Sequence, residues 1–252
     1  MERAERIRIR GKEGVAWGRT IGSPTPRSSG IGIGKVIIRG LRPSDEAAVR
    51  WISCETAFMG EPISEIFDCL DLVADLLTYY YIHFEPESCF VAEDEAKGEV
   101  VGYILGAVDT RRAGRIMASR VYPRILWRII SGRYRLGRRE LAYGLRLLGS
   151  ALRGEIPKPD LDRYPAHLHI NVLKGYRGKG IGTRLMVRFL EYLRERGAGG
   201  VHLVTTNMHR EALPFYERMG FQIQRRVRTR VWEGMGIISG RVENLLLVRS
   251  LA

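Results

Sequence analysis

The first regular pattern along the chain is Lys35–Arg39, a short β-branched run that predicts a strand. Ser44 or Asp45 then reads as the N-cap of a helix reaching about Ser53. Apolar residues at 66, 70, 73, 77 and 80 predict a second helix, about Ile66 to Tyr80. Cys89–Glu93 and Glu99–Ala107 read as two strands of a hairpin, joined by a charged turn with Gly98. Two helical stretches follow, about Tyr122–Ile130 and Leu136–Leu152. In the second, Leu141, Leu145, Leu148 and Leu152 form one apolar stripe; ahead of and within the first, Arg120, Arg124 and Arg128 share a face. A strand over His167–Leu173 runs through the turn Lys174–Gly178 into a helix over Gly180–Arg196, with Ile181, Leu185, Phe189 and Leu193 on its apolar side. A strand over Gly200–Thr206, a short helix ending at Gly220, and strands over Phe221–Arg230 and Arg241–Ser250 complete the pattern. This order predicts one α/β (mixed α+β) domain over residues 35–252, a central mixed sheet flanked by helices. A helical insertion, residues 111–163, separates its third and fourth strands.

Composition adds three constraints. Of the net charge of +13, residues 1–34 contribute +4 and residues 111–139 contribute +10, with ten arginines and no acid, so the remainder is close to neutral. A block of this kind suits an anionic partner (nucleic acid, membrane or acidic small molecule) or is a solvated helix face. Residues 1–34 are rich in Gly, Pro and Ser and read as a flexible basic arm, which would dock, if at all, across a homodimer interface. The three cysteines, Cys54, Cys69 and Cys89, do not suggest a disulfide framework, which makes a reducing cytoplasm the expected compartment. The longest uncharged apolar run, Val100 to Val108, is about half of what a membrane span needs. The first dozen residues alternate Arg and Glu and predict no secretory signal, so no membrane partner is expected. His167 and His169 project from one face of a strand, but no third ligand sits at a metal-site spacing, and no metal is expected.

The segment Ile170-Asn171-Val172-Leu173-Lys174-Gly175-Tyr176-Arg177-Gly178-Lys179-Gly180-Ile181-Gly182 carries the chemistry. An apolar strand enters a turn with four glycines within eight residues, and the turn opens into an amphipathic helix. Glycines let backbone N–H groups close around an anion, and the new helix points its positive end at the same place. The Walker and dinucleotide spacings are both absent.

Here the sequence resembles a known family. Arg177-x-x-Gly180-x-Gly182 is similar to the pyrophosphate-binding signature of GNAT-type N-acetyltransferases. Ala212-Leu-Pro-Phe-Tyr216-Glu-Arg-Met-Gly220-Phe221 resembles the family's second signature at the expected distance. Glu85–Glu93 and Tyr164–Ile170 also resemble the bacterial subgroup related to the acetyltransferase-like domain of O-GlcNAc hydrolases. The resemblance implies the GNAT fold and transfer of acetyl from acetyl-CoA to an amine by direct attack in a ternary complex. It implies that backbone N–H groups of Arg177, Gly178, Lys179, Gly180, Ile181 and Gly182 hold the pyrophosphate. Main-chain groups of Ile170, Asn171 and Val172 would pair with the pantetheine arm, and Tyr216 would protonate the leaving thiolate. Two positions depart from the pattern. His209 stands where many relatives have Asn, and Asn171 where the subgroup often has Asp. An amide is not a base, so His209, or Glu93 through a water chain, is the candidate proton acceptor. The arginine-rich insertion is placed to wall the acceptor side and attract an anionic small-molecule or protein amine. A catalytically silent acyl-CoA-binding module and a nucleic-acid-binding protein using the insertion are the alternatives.

Overall fold

The computed structural model describes residues 34–233 and 240–251; all but the last residue of the basic arm lies outside that range. Seven strands form one sheet in the order β1-β2-β3-β4-β5-β7-β6. They are β1 (Val36–Gly40), β2 (Phe90–Asp94), β3 (Glu99–Ala107), β4 (Ala166–Val172), β5 (Gly200–Thr206), β6 (Gln222–Arg228) and β7 (Glu243–Ser250). All neighbours run antiparallel except β4 and β5. The helices are α1 (Glu46–Thr56), α2 (Leu70–Phe84), α3 (Thr110–Ile116), α4 (Tyr122–Ile130), α5 (Arg138–Leu152), α6 (Ile181–Glu195) and α7 (Ala212–Arg218). The mixed sheet flanked by helices, with a helical segment between the third and fourth strands, is the fold class the periodicity predicts.

Two cores explain the layering. On one face, Ile181, Leu185, Phe189 and Leu193 of α6 pack with Phe90, Ile104, Leu168 and Leu203 of the sheet. Gly106 on β3 lets this happen, because a Cβ there would stand 2.2 Å from the Phe189 ring. On the other face, Val49 and Ile52 of α1 and Tyr80 and Tyr81 of α2 cover Tyr103 and Leu105 of β3. Val121 and Ile125 join this second core from the helical segment.

Three local expectations are corrected by long-range contacts. Asp45 does not cap α1 through its side chain; its carboxylate accepts from Arg42 N–H at 2.8 Å and from the Arg39 guanidinium, which it shares with Glu93. The second helix begins at Leu70, not Ile66. Ile66 and Phe67 are buried in a cluster of their own, and Glu140 of α5 accepts from the N–H groups of Asp68 (2.6 Å) and Cys69 (3.0 Å) at the helix start. Between β3 and α4, Thr110–Ile116 is also helical, capped by Asp109, whose carboxylate accepts from Arg111 and Arg112 N–H. A π-helical turn, Met117–Val121, joins it to α4.

The largest correction concerns the arginine face, of which Arg128 turns inward while Arg120 and Arg124 stay exposed over aromatic rings. Arg128 pairs with the buried Asp75 of α2, which also receives Arg50 and the Tyr134 hydroxyl. Arg124 lies 4.8 Å from the Tyr79 ring centroid and Arg120 lies 5.9 Å from that of Phe84. The buried carboxylate gives Arg128 a better partner than open solvent does. On α4, Ile125 is buried while Leu126, Trp127 and Ile130 are exposed, as is the leucine stripe of α5.

Candidate active site

The site begins where two strands part. The parallel strands β4 and β5 pair only at Ala166↔Val201 and His167↔His202. Beyond His167, β4 stays bonded to β3 as far as Gly102↔Val172, and β5 stays bonded to β7 as far as Thr206↔Asn244. The facing edges of Leu168–Val172 and Leu203–Thr206 therefore do not pair with each other, and main-chain groups line an opening between them. A cavity of about 370 Å³ lies beside the β4 end of this opening, lined by Ile170, Asn171 and Val172, by the glycine turn, and by His209 and Tyr216.

The turn has the geometry of an anion cradle. Gly178 and Gly180 have φ of +74° and +75°, a conformation that a side chain disfavours, and Gly180 immediately precedes α6. A Cβ at Gly175, Gly178 or Gly180 would meet nothing within 4 Å, so the backbone is open on the cavity side. Gly182, on the first turn of α6, faces Phe215 of α7. Ile181 anchors the turn, buried in the core. Both cations, Arg177 and Lys179, bond to backbone carbonyls. Arg177 turns its guanidinium to the protein, donating to Val172 O at 2.9 Å and Gly60 O at 2.5 Å. It clamps the end of β4 to the α1–α2 connection. Lys179 donates to Gly175 O at 3.0 Å and does not line the cavity.

Tyr216 stands at the third wall. Helix α7 admits Pro214 because its position in the first turn needs no N–H donor. The helix ends at Gly220 (φ +79°), where Phe221 N–H returns to Tyr216 O at 3.0 Å. The Tyr216 ring is buried, and among the described residues nothing holds its hydroxyl, which faces the cavity. Burial pushes this phenol well above its ordinary value, so it stays protonated at neutral pH. His209 also lines the cavity. Burial, assisted by Arg177, lowers its pKa below 6.5 and keeps the ring neutral at pH 7.

The other two candidate acceptors are placed less well. The Asn171 amide donates to the Tyr103 hydroxyl at 2.7 Å, so its donor side is committed to β3. Glu93 lies on β2, two strands from β4, and accepts from Arg39 at 2.5 Å. It does not line the cavity. His167 is held between the Tyr81 hydroxyl (2.7 Å) and Thr110 Oγ1 (2.8 Å). Among the lining residues, none comes from 111–163, so the arginine-rich segment does not wall this cavity. Gly60, Thr183 and Glu211 line it without having been singled out in the sequence. Gly60 (φ +93°), next to Met59 (φ +53°), gave no periodic signal, because the tight turn that brings it between Arg177 and His209 depends on Arg177 reaching across.

The parted strands and the open glycine turn thus share one cavity. Comparison with known proteins identifies the chain further. The Acetyltransferase (GNAT) domain family matches residues 150–223. A streptothricin acetyltransferase of Streptomyces lavendulae is 50% identical over 52 residues, 21% of this chain and 28% of that protein. The match therefore spans under a third of that relative's length. The crystal structure of SsHAT superposes with a TM-score of 0.66 at 32% identity, covering 86% of this chain and 98% of that one. YncA of Salmonella typhimurium, a putative acetyltransferase solved with its cofactor acetyl-CoA, shares the fold at 13% identity and a TM-score of 0.50, with coverage of 87% and 95%. The chain belongs to the GNAT acetyltransferase family.

Proposed function

We propose that the protein is an N-acetyltransferase that passes acetyl from acetyl-CoA directly to an amine within a ternary complex. The observation that carries this reading is the parting of β4 and β5 after two residue pairs, with Tyr216 and the glycine turn on one cavity. The open backbone at Gly178 and Gly180 fits a pyrophosphate, and the free edge of Ile170–Val172 fits an amide-bearing pantetheine chain as an added strand.

Bound acetyl-CoA supplies an activated thioester: the amine nitrogen bonds to the acetyl carbon, the C–S bond breaks, and one proton passes overall from nitrogen to sulfur. The chain's residues position these events. The Arg177 N–H is donated to Lys174 O and Lys179 does not line the cavity, so the backbone N–H groups of Gly178, Gly180, Ile181 and Gly182 and the positive end of α6 hold the phosphates. Tyr216, neutral and unheld by other residues, donates its O–H to the departing sulfur. His209, uncharged at neutral pH, accepts the amine proton; Asn171 cannot, and instead fixes β4 to β3 through Tyr103. The acceptor is an amine, small-molecule or protein. Arg128 is engaged by Asp75 of α2, which leaves Arg120 and Arg124 as the exposed members of that face.

Thermal shift with acetyl-CoA, followed by thiol release against an amine panel, tests the reading. Acetyl-CoA should raise Tm, and Gly180→Val, which forces a β-branched side chain into φ +75°, should abolish the rise. Binding without turnover for any amine would favour a silent acyl-CoA-binding module. A folded Gly180→Val protein with an unchanged shift would remove the cradle from the site.

A further inference from the structure

Residues 110–130 form one helical run, α3 through α4, and α5 follows after a seven-residue connection. Both α4 and α5 are amphipathic; α4 packs Ile125 and Ile129 inward and α5 packs Tyr143, and each leaves further large apolar side chains exposed. On α4, Trp127 is 68% exposed and Ile130 70%, with Leu126 also more than half exposed. On α5, Leu145 is 72% and Leu152 81% exposed, and Leu141 and Leu148 complete the stripe at four- and three-residue steps. Large exposed apolar side chains are concentrated on these two consecutive helices instead of being scattered singly. Around them Arg112, Arg115, Arg133, Arg135, Arg138 and Arg139 are all exposed, and residues 111–139 contain no acid.

We propose that the outward faces of α4 and α5 dock onto the headgroup layer of an anionic lipid bilayer. The apolar stripes need a low-dielectric medium, and the arginines beside them need anions. A bilayer surface offers both in one plane, with Trp127 suited to the boundary between them. A nucleic acid would leave the leucines in water. A second copy of the chain would set arginines against arginines. No helix among the described residues is long and apolar enough to cross a membrane, so the contact is peripheral. It departs from the sequence expectation of no membrane partner.

Vesicle flotation of the full chain tests this. Vesicles of phosphatidylcholine with about 30 mol% phosphatidylserine should carry the protein upward, and phosphatidylcholine alone should carry roughly tenfold less, with the difference shrinking as salt rises. The double variant L145E/L148E, and separately W127S, should reduce flotation by about tenfold while keeping wild-type Tm, because the substituted side chains are exposed. No flotation of the wild type on anionic vesicles would overturn the proposal. So would undiminished flotation of both variants, which would assign lipid binding to another part of the chain. Size-exclusion chromatography without lipid supplies the last arm. A wild-type oligomer that L145E/L148E dissolves would show that a second copy covers the stripe and would overturn the bilayer assignment.

Discussion

Replacing Tyr216 by Phe removes one oxygen from the cavity wall and almost nothing from the fold. The ring is 7% exposed and packs near Phe215 and Phe221, and these contacts survive in Phe. The hydroxyl has no protein partner among the described residues to leave unsatisfied, so the stability cost should stay below about 1 kcal/mol. For a domain of this size that corresponds to a fall in Tm of no more than about 2–4 °C. If the O–H assists thiolate departure, its loss should lower kcat by roughly ten- to a thousandfold, or about 1.4–4 kcal/mol of transition-state stabilisation. Acetyl-CoA affinity should be nearly unchanged, because the phosphates are held by the glycine turn. Burial raises the phenol pKa, so the wild-type rate should show no alkaline loss from Tyr216 up to pH 10. Continuous detection of the released thiol, with isothermal titration of acetyl-CoA, separates the two effects. A kcat within twofold of wild type would make Tyr216 a packing residue, and a weakened Kd with unchanged kcat would place it in cofactor binding.

The remaining expectations follow from particular contacts. Asp75→Ala should destabilise the fold by about 3–5 kcal/mol, since Arg50 and Arg128 lose their shared buried carboxylate; urea midpoints read this directly. Arg177→Gln should weaken acetyl-CoA binding by about tenfold in titration calorimetry. It breaks the clamp between Val172 O and Gly60 O that shapes the turn, and hydrogen bonds to charged groups are worth about 1.5–3 kcal/mol. Stability should fall with acid below about pH 6.5. Burial, with His169 and His202 nearby, pushes His167 down to about 3, so the unfolded chain binds a proton there that the native state refuses. Urea unfolding at a series of pH values should show this decline, and His167→Gln should reduce it while leaving the part that the buried His169, pushed down to about 4, contributes.

Local sequence by itself determined the strand and helix order, because periodicities of two and 3.6 are written in nearest neighbours: α6 and β4 appear almost residue for residue. It also determined the glycine turn, since positive φ at Gly178 and Gly180 is a local demand that glycine alone meets easily. Three features needed the folded chain. The parting of β4 from β5 is invisible in either strand, because whether two strands stay adjacent is a property of the assembled sheet and not of either sequence. Gly60 reaches the cavity only through Arg177, 117 residues away in sequence. The placement of Arg128 is the clearest case. Patterning assigns arginine to water, yet a single buried carboxylate on α2 draws this one inward, while Leu126, Trp127 and Ile130 are left exposed. Charge pairing depends on what another element presents, and no window of residues 111–139 contains Asp75.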